Sequence, residues 1–495
     1  MHTQSSRPCH LSVQLHSHNK SKMANTTSSV LTPASDGYNQ SRQRYFNARI
    51  PDIEPMEIHM PTTTSEVVSV MKSSQARHLK VGVRSGGHLF SCASLVEKGL
   101  LIDTHLLNKD VKYDAATRIA AFSPGHTVQE LATAFGAIGR FFPWGHNRGV
   151  GVGGFLLAGG QGCFGRGWGY TSDSWITQLE VVTAAGEVVL CSKTENEELF
   201  WAAPGSGRGF FGVVTRIWAR TIPERRLFDT TIILDSTDIF KPLLKWVLET
   251  SEKVPKYGVD LFFLTFRSDM DEPGDGDGDK SDPARIMFVI NETVYADSLE
   301  EAKVLASPWD QLPDEFVKFQ VQRVPVLERT WEDLWTLQDR FQPQGKRWNV
   351  DSIMTDPKAS NDAIIEAITP ALYELPSRLT TGTVCPLDYY PDEKNQALSL
   401  PQKCYVSAMN AWENPVLDEK MDGWIRGVFK KAATVSCGIY VADLNERQRA
   451  APVMTSSAMQ KWLQIRAKWD PEETFIGYRA FLLPTLDHDN TAAGS

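Results

Sequence analysis

Along this chain, apolar and polar positions first fall into regular periods at Pro61. Thr63 and Glu66 stand at capping-box spacing, and the helical period that follows runs to about Arg77. A short apolar strand, Leu79 to Val83, ends in Arg84-Ser85-Gly86-Gly87-His88, and another strand is expected at Gly99 to Asp103. Thr127 and Glu130 repeat the capping box before a helix that Gly139 can close. Leu179 to Thr183 and Glu187 to Cys191 flank Ala185-Gly186 and read as a hairpin; Asn196 to Trp201 reads as a short helix, and Phe211 to Arg220 as a strand.

The pattern changes after Ile222. Two apolar runs, Val259 to Phe266 and Arg285 to Val294, enclose the acidic stretch Ser268 to Asp282 and predict a long hairpin with a solvated loop. Helical periods occupy about 238–252 and 361–376. Strands are expected at Lys403 to Trp412 and Gly438 to Asp443, and a last helix at about Ser457 to Trp469. The first 40 residues carry no apolar run and predict a disordered tail, with Met23 an alternative start. The division expected is therefore a tail over 1–40, a glycine-punctuated α+β half over 41–225, a strand-and-helix half over 226–454, and a segment over 455–485 that returns to the first half.

Composition changes this picture little. A net charge of -9 argues against a nucleic-acid partner. The seven cysteines are scattered, with no CxxC pair, and no HxxxH pair sits on a convincing helix, so no metal is expected. Without a signal-peptide core or a run of about 18 apolar residues, the expectation is a cytoplasmic protein that does not span a membrane.

Candidate chemistry gathers on glycine. The pair Gly86-Gly87 after a strand lets backbone N–H groups approach an anion, a pyrophosphate being the natural one. Gly149-Val150-Gly151-Val152-Gly153-Gly154 satisfies the letters of a dinucleotide fingerprint. It follows Pro143-Trp144-Gly145-His146-Asn147 rather than a buried strand, so a bare loop against a flat ring system fits better than a Rossmann turn. Asp275-Gly276-Asp277-Gly278-Asp279 imitates a calcium loop but has Lys280 where glycine is required.

His88 in its Arg-Ser-Gly-Gly-His setting, the Gly149–Gly154 tract, Leu179-Glu-Val-Val-Thr-Ala-Ala-Gly-Glu, Glu198-Leu-Phe-Trp with Phe211-Gly-Val-Val-Thr, and Trp469-Asp-Pro-Glu-Glu-Thr-Phe475 occur in one order. Together they resemble the berberine bridge enzyme-like branch of the vanillyl-alcohol oxidase superfamily, FAD-linked oxidoreductases with a PCMH-type domain. The resemblance implies an α+β fold, with a two-part FAD-binding domain and a substrate domain whose antiparallel sheet is flanked by helices.

It also implies site residues. His88 takes the place of the histidine bonded to the flavin 8α-methyl, and Arg84, Ser85, Gly86 and Gly87 form the pyrophosphate loop. Asn147, Val150, Gly151, Gly153 and Gly154 lie beside the ring, and Gly212, Val213 and Val214 near the adenine. Asn147 replaces the cysteine of doubly linked relatives, so FAD covalent through His88 only is expected. Val150 matches the small residue that relatives associate with oxygen access. For the base, alignment on Trp412 points to Ser407 with Tyr405 and Met409 on one strand face, and a companion strand Tyr440-Val441-Ala442-Asp443 supplies Asp443. His146 is the other candidate base, and Cys163 reads as a structural thiol.

The reaction implied is an FAD-dependent oxidase: hydride removal from a small alcohol, phenol or amine, such as an intermediate of specialised metabolism, with O2 as acceptor. An oxidative cyclase on the same fold, and a non-catalytic flavin-binding partner protein, are the alternatives.

Overall fold

A computed structural model describes residues 11–13, 30–275 and 284–478, and all structural statements below concern these residues. Glu57–His59, Leu100–Asp103 and Val81–Arg84 pair in parallel, with Val30–Leu31 added antiparallel at the edge. Parallel strands need crossover connections, and the helix Thr64–Arg77, capped by Thr63, links Glu57–His59 to Val81–Arg84. Within the tail expected over 1–40, Val30–Leu31 is a sheet strand and Tyr38 is buried. The backbone of Leu11–Val13 also pairs with Val111–Asp114.

A second, antiparallel sheet follows. Its order is Leu11–Val13, Val111–Asp114, Ile119–Phe122, Gly212–Arg220, Ile176–Thr183 and Val188–Ser192. The helix Val128–Gly136 carries the full Thr127/Glu130 capping box read from the sequence.

The third sheet is antiparallel, eight-stranded and separate from the other two. Its order is Gln320–Arg329, Arg226–Asp235, Ile286–Ala296, Val259–Arg267, Thr381–Cys385, Tyr405–Trp412, Arg347–Thr355 and Ser436–Gly438. Strand alternation divides its faces. Leu261 and Phe263 point into a core with the helices Phe240–Ser251, Asn361–Tyr373 and Asp418–Ala432. Phe262 and Leu264 point the other way, into a cavity. Gln320–Arg329 escaped the sequence reading because Pro325 interrupts its pattern; it is an edge strand, where the missing N–H is tolerated.

Two expectations are corrected here. Gly438 to Asp443 is not one strand: the strand is Ser436–Gly438, it pairs with Arg347–Thr355, and Val441–Asp443 is a single 3-10 turn. The tract after Gly149 is not a bare loop either, since Val152–Leu157 is helical. The calcium-like Gly276 to Asp279 lies outside the described residues, while Asp275 accepts hydrogen bonds from the Glu413 and Asn414 backbone N–H groups.

The helix Ser456–Trp469 packs on Glu197–Ala202, and the strand position Phe475 pairs with Val81. Trp462, fully buried, donates from Nε1 to Ser206 Oγ at 2.6 Å. Trp462→Ala is expected to cost about 3–5 kcal/mol, the usual range for emptying a buried Trp site, read as a lower urea midpoint.

Candidate active site

The two glycine tracts meet back to back. A Cβ on Gly86 would lie 2.3 Å from the Gly151 nitrogen, and one on Gly151 would lie 2.1 Å from the Gly86 nitrogen. No other residue permits that approach. Gly87 has φ +73° and sits against the Arg44 carbonyl oxygen, which an added Cβ would meet at 2.4 Å. A left-handed backbone at this spacing requires glycine.

Arg84 borders the cleft with the rest of its loop, but its side chain turns away from it. Its guanidinium is buried, donates to Asp103 Oδ2 at 2.6 Å and to the Ser41 carbonyl at 2.7 Å, and lies 4.8 Å from the Tyr45 ring centre. Arg44 and His105 also bond Asp103. Burial alone would raise the Asp103 carboxyl, but the His105 hydrogen bond and the Arg84 and Arg44 charges hold it far below the usual range. This network anchors the loop and leaves its backbone to face the cleft.

Ser85, Gly86, Gly87 and His88 line that cleft on one side; Asn147, Val150, Gly151, Gly153 and Gly154 line the next stretch. His88 packs 4.4 Å from the Phe46 ring, and its Nε2 would lie 2.9 Å from a Cβ on Gly149. Burial pushes its pKa down to about 4, so the imidazole is neutral and nucleophilic at neutral pH. Asn147 Oδ1 accepts from the Gly149 N–H at 2.9 Å, whereas its buried Nδ2 has no protein partner. A Cβ on Gly154 would meet no atom within 4 Å and would stand in the cleft itself.

At the far end Gly212 and Val214 border the cleft, but Val213 does not. Strand alternation turns Val213 into the core, where it is fully buried. Arg208, passed over in the sequence although it sits in Gly205-Ser206-Gly207-Arg208-Gly209, lines this end and lies 4.4 Å from the Tyr478 ring centre.

The opposite wall is the third sheet. Tyr405, Met409, Thr383 and Leu264 face the cleft, while Ser407, on the same strand, is fully buried and does not border it. Asp443 reaches the cleft from its 3-10 turn, and Tyr405 donates its hydroxyl proton to Asp443 Oδ2 at 2.8 Å. Burial outweighs the hydrogen bonds that favour the carboxylate and pushes the Asp443 pKa up to about 6. Burial and the adjoining Asp443 charge push the Tyr405 hydroxyl well above its usual range. Asp443 thus borders the cleft from a 3-10 turn rather than from the companion strand expected of it.

His146 stands where the cleft opens into a second cavity of about 670 Å³ under the sheet. Its Nε2 pairs with Asp260 Oδ2 at 2.7 Å, and Cys163 lies alongside. Burial favours neutral imidazole, but the Cys163 and Asp260 side chains together outweigh it and raise the His146 pKa well above the usual value. Asp260 thus favours the protonated ring and orients its Nε2. Cys163 joins this cluster instead of being an isolated core thiol, and its buried thiol is pushed up. Nothing in the sequence signals Asp260, which reaches His146 only through strand pairing.

The cleft suits FAD on two observations: the unpartnered Asn147 amide, and the glycine cradle that a Cβ at Gly154 would fill. Fold and cleft together define a PCMH-type flavin-binding protein. Residues 55–192 match the FAD binding domain family. The FAD-linked oxidoreductase janO of Penicillium janthinellum is 29% identical over 445 residues, covering 89% of this chain and 94% of that protein. The xylooligosaccharide oxidase of Thermothelomyces thermophilus is 36% identical over 178 residues, covering 36% of this chain and 35% of its own. Physcomitrella patens BBE-like 1 superimposes with a TM-score of 0.75 at 19% identity, covering 90% of this chain and 95% of that one. The chain is an FAD-linked oxidoreductase, and it shares the fold of the berberine bridge enzyme-like structure.

Asp103→Asn is expected to leave Arg84 buried with a weakened partner and to cost about 3–5 kcal/mol, read in the urea midpoint of the purified protein.

Proposed function

We propose that this protein is an FAD-dependent oxidase that removes a hydride from a small organic substrate, with O2 as the final acceptor and His88 as the single covalent tether of the cofactor. The observation that carries the reading is the Tyr405–Asp443 pair, facing the glycine-lined wall across the cleft. The oxidase named among the relatives supports it.

Ser85 to Gly87, Asn147, Val150 to Gly154, and Arg208 with Gly212 are the residues that would hold FAD. Bound FAD supplies the two-electron acceptor, which O2 reoxidises. Within the chain, Tyr405 takes the O–H or N–H proton of the substrate while passing its own to Asp443. A phenol hydrogen-bonded to a carboxylate accepts a proton far more readily than a phenol alone. His146 donates to a substrate oxygen or nitrogen from the side. A neutral His88 is in the protonation state that bond formation with a carbon electrophile requires. Asn147 has no nucleophile to add a second link. The described cysteines are free, which supports a cytoplasmic setting; no described helix is long and apolar enough to cross a membrane.

Three outcomes check the reading. Acid-precipitated wild-type protein is expected to keep its yellow colour, with one FAD mass on the His88 peptide, whereas His88→Ala releases its flavin. Asp443 must be ionised to receive the proton, so kcat/KM should fall about tenfold per pH unit below pH 6 and level off above it. Asp443→Asn should lower kcat by about 10²–10⁴ and abolish that limb, with flavin content unchanged.

A further inference from the structure

The second cavity has a polarity gradient built into its sheet. Four rows of side chains cross its floor, set by the register of Val259–Arg267, Ile286–Ala296 and Arg226–Asp235. Asp260, Thr293 and Asp229 form the first row, and Phe262, Asn291 and Thr231 the second. Leu264, Val289 and Ile233 form the third; Phe266, Met287 and Asp235 form the fourth, with Asp235 paired to Arg285. The floor changes from polar to apolar along Val259–Arg267 and Ile286–Ala296, while Arg226–Asp235 ends the apolar third row with the Asp235–Arg285 pair at the cavity edge.

The roof is largely apolar along its length. It is the helix Trp331–Phe341, which the sequence reading did not identify, and Trp331, Leu334, Trp335, Gln338 and Phe341 face the cavity from it at helical spacing. Phe341 packs 5.5 Å from Phe266 over the apolar end and closes a small cluster with Met287 and Val289. Acidic groups bordering the cavity already have protein partners: Asp229 is paired with Arg329, Asp235 with Arg285 and Asp260 with His146. At the rim, Val321 and Leu337 expose apolar side chains, 63% and 39% accessible.

Resting on the oxidase reading of the adjoining cleft, we infer that this cavity is the substrate chamber and that it takes an amphiphile. Such a substrate is an elongated, largely apolar molecule with one polar head, not a polyhydroxylated sugar. The head lies at the His146–Asp260 end, where chamber and cleft meet, and the apolar body extends under Phe341. A sugar would strand its hydroxyls against the third row and the Phe266–Met287 part of the fourth, where Leu264, Val289, Ile233, Phe266 and Met287 offer no partner, and each stranded group is penalised. A chamber of about 670 Å³ falls in the range of sites that enclose a drug-sized molecule.

The test uses the anaerobic holoenzyme. Trp331 and Trp335 line the chamber, so tryptophan quenching reports occupancy without turnover, and the flavin difference spectrum reports approach to the cleft. The probes are 4-alkylphenols from methyl to heptyl, with xylobiose as the polar counterpart. Kd is expected to fall about three- to fourfold per methylene until the chamber is full, with xylobiose binding more weakly than 4-methylphenol. Ile233→Trp, filling the third row, should flatten the series while leaving 4-methylphenol within about twofold; Leu334→Trp does the same from the roof if the first variant fails to fold. His146→Gln should weaken every member about tenfold and keep the slope.

A flat series in wild type, xylobiose binding tighter than 4-methylphenol, or an unchanged slope in a folded, flavin-loaded filled variant would overturn the inference. Failure of the oxidase reading looks different: the chain-length dependence persists, but no substrate bleaches the flavin or consumes O2.

Discussion

The cleft depends on one contact, the backbone of Gly86 lying against the backbone of Gly151. Two loops distant in sequence approach until even a methyl group would overlap a peptide nitrogen. That closeness turns two ordinary turns into one continuous wall, along which His88, Asn147 and Val150 are displayed. It persists because the loop carrying Gly86 is tied down behind. Arg84 and Arg44 share the Asp103 carboxylate, and carbonyls of the 41–42 turn complete the Arg84 shell. A buried ion pair of this kind specifies position more than it adds stability, because the cost of removing its charges from water offsets much of the attraction.

Buried carboxylates serve opposite ends here. Asp103 is surrounded by cationic donors and stays ionised under all ordinary conditions. Asp443 has a phenol for a neighbour, and burial leaves its proton affinity close to the physiological range. The first is fixed scaffold, and the second is poised to exchange a proton. His146 shows the same logic in reverse, since the neighbouring Asp260 favours its protonated form. The cleft is thus bordered by a buried carboxylate on a 3-10 turn and by an imidazole paired to a strand carboxylate.

Both groups stand on or against the eight-stranded sheet. Neighbouring strands carry the cleft on Thr381–Cys385 and Tyr405–Trp412 and the chamber on Val259–Arg267 and its partners. Register sets which side chains share a row, so the gradient under the chamber is as rigid as the hydrogen-bond ladder. A slip of one residue would turn Phe262 and Leu264 into the helical core and Phe263 into the cavity.

Local chemistry was legible in the chain itself. Capping boxes at Thr127 and Glu130, the 179–191 hairpin, the helix ending at Trp469 and the glycine turns are written within a few residues of one another. Their conformations follow from short-range sterics and hydrogen bonds. The ordered motifs around His88 and Gly149 pointed to the flavin cleft for the same reason, and Tyr405 and Asp443 were singled out together. Pairing at long range was decided elsewhere. That Asp443 comes from a turn, that Val213 faces inward, that the Arg84 guanidinium is spent on Asp103, and that Asp260 meets His146 across 114 residues all depend on strand register and on which element packs against which. No residue carries that information alone, because register and packing are minimised over the whole folded chain rather than over any window of it.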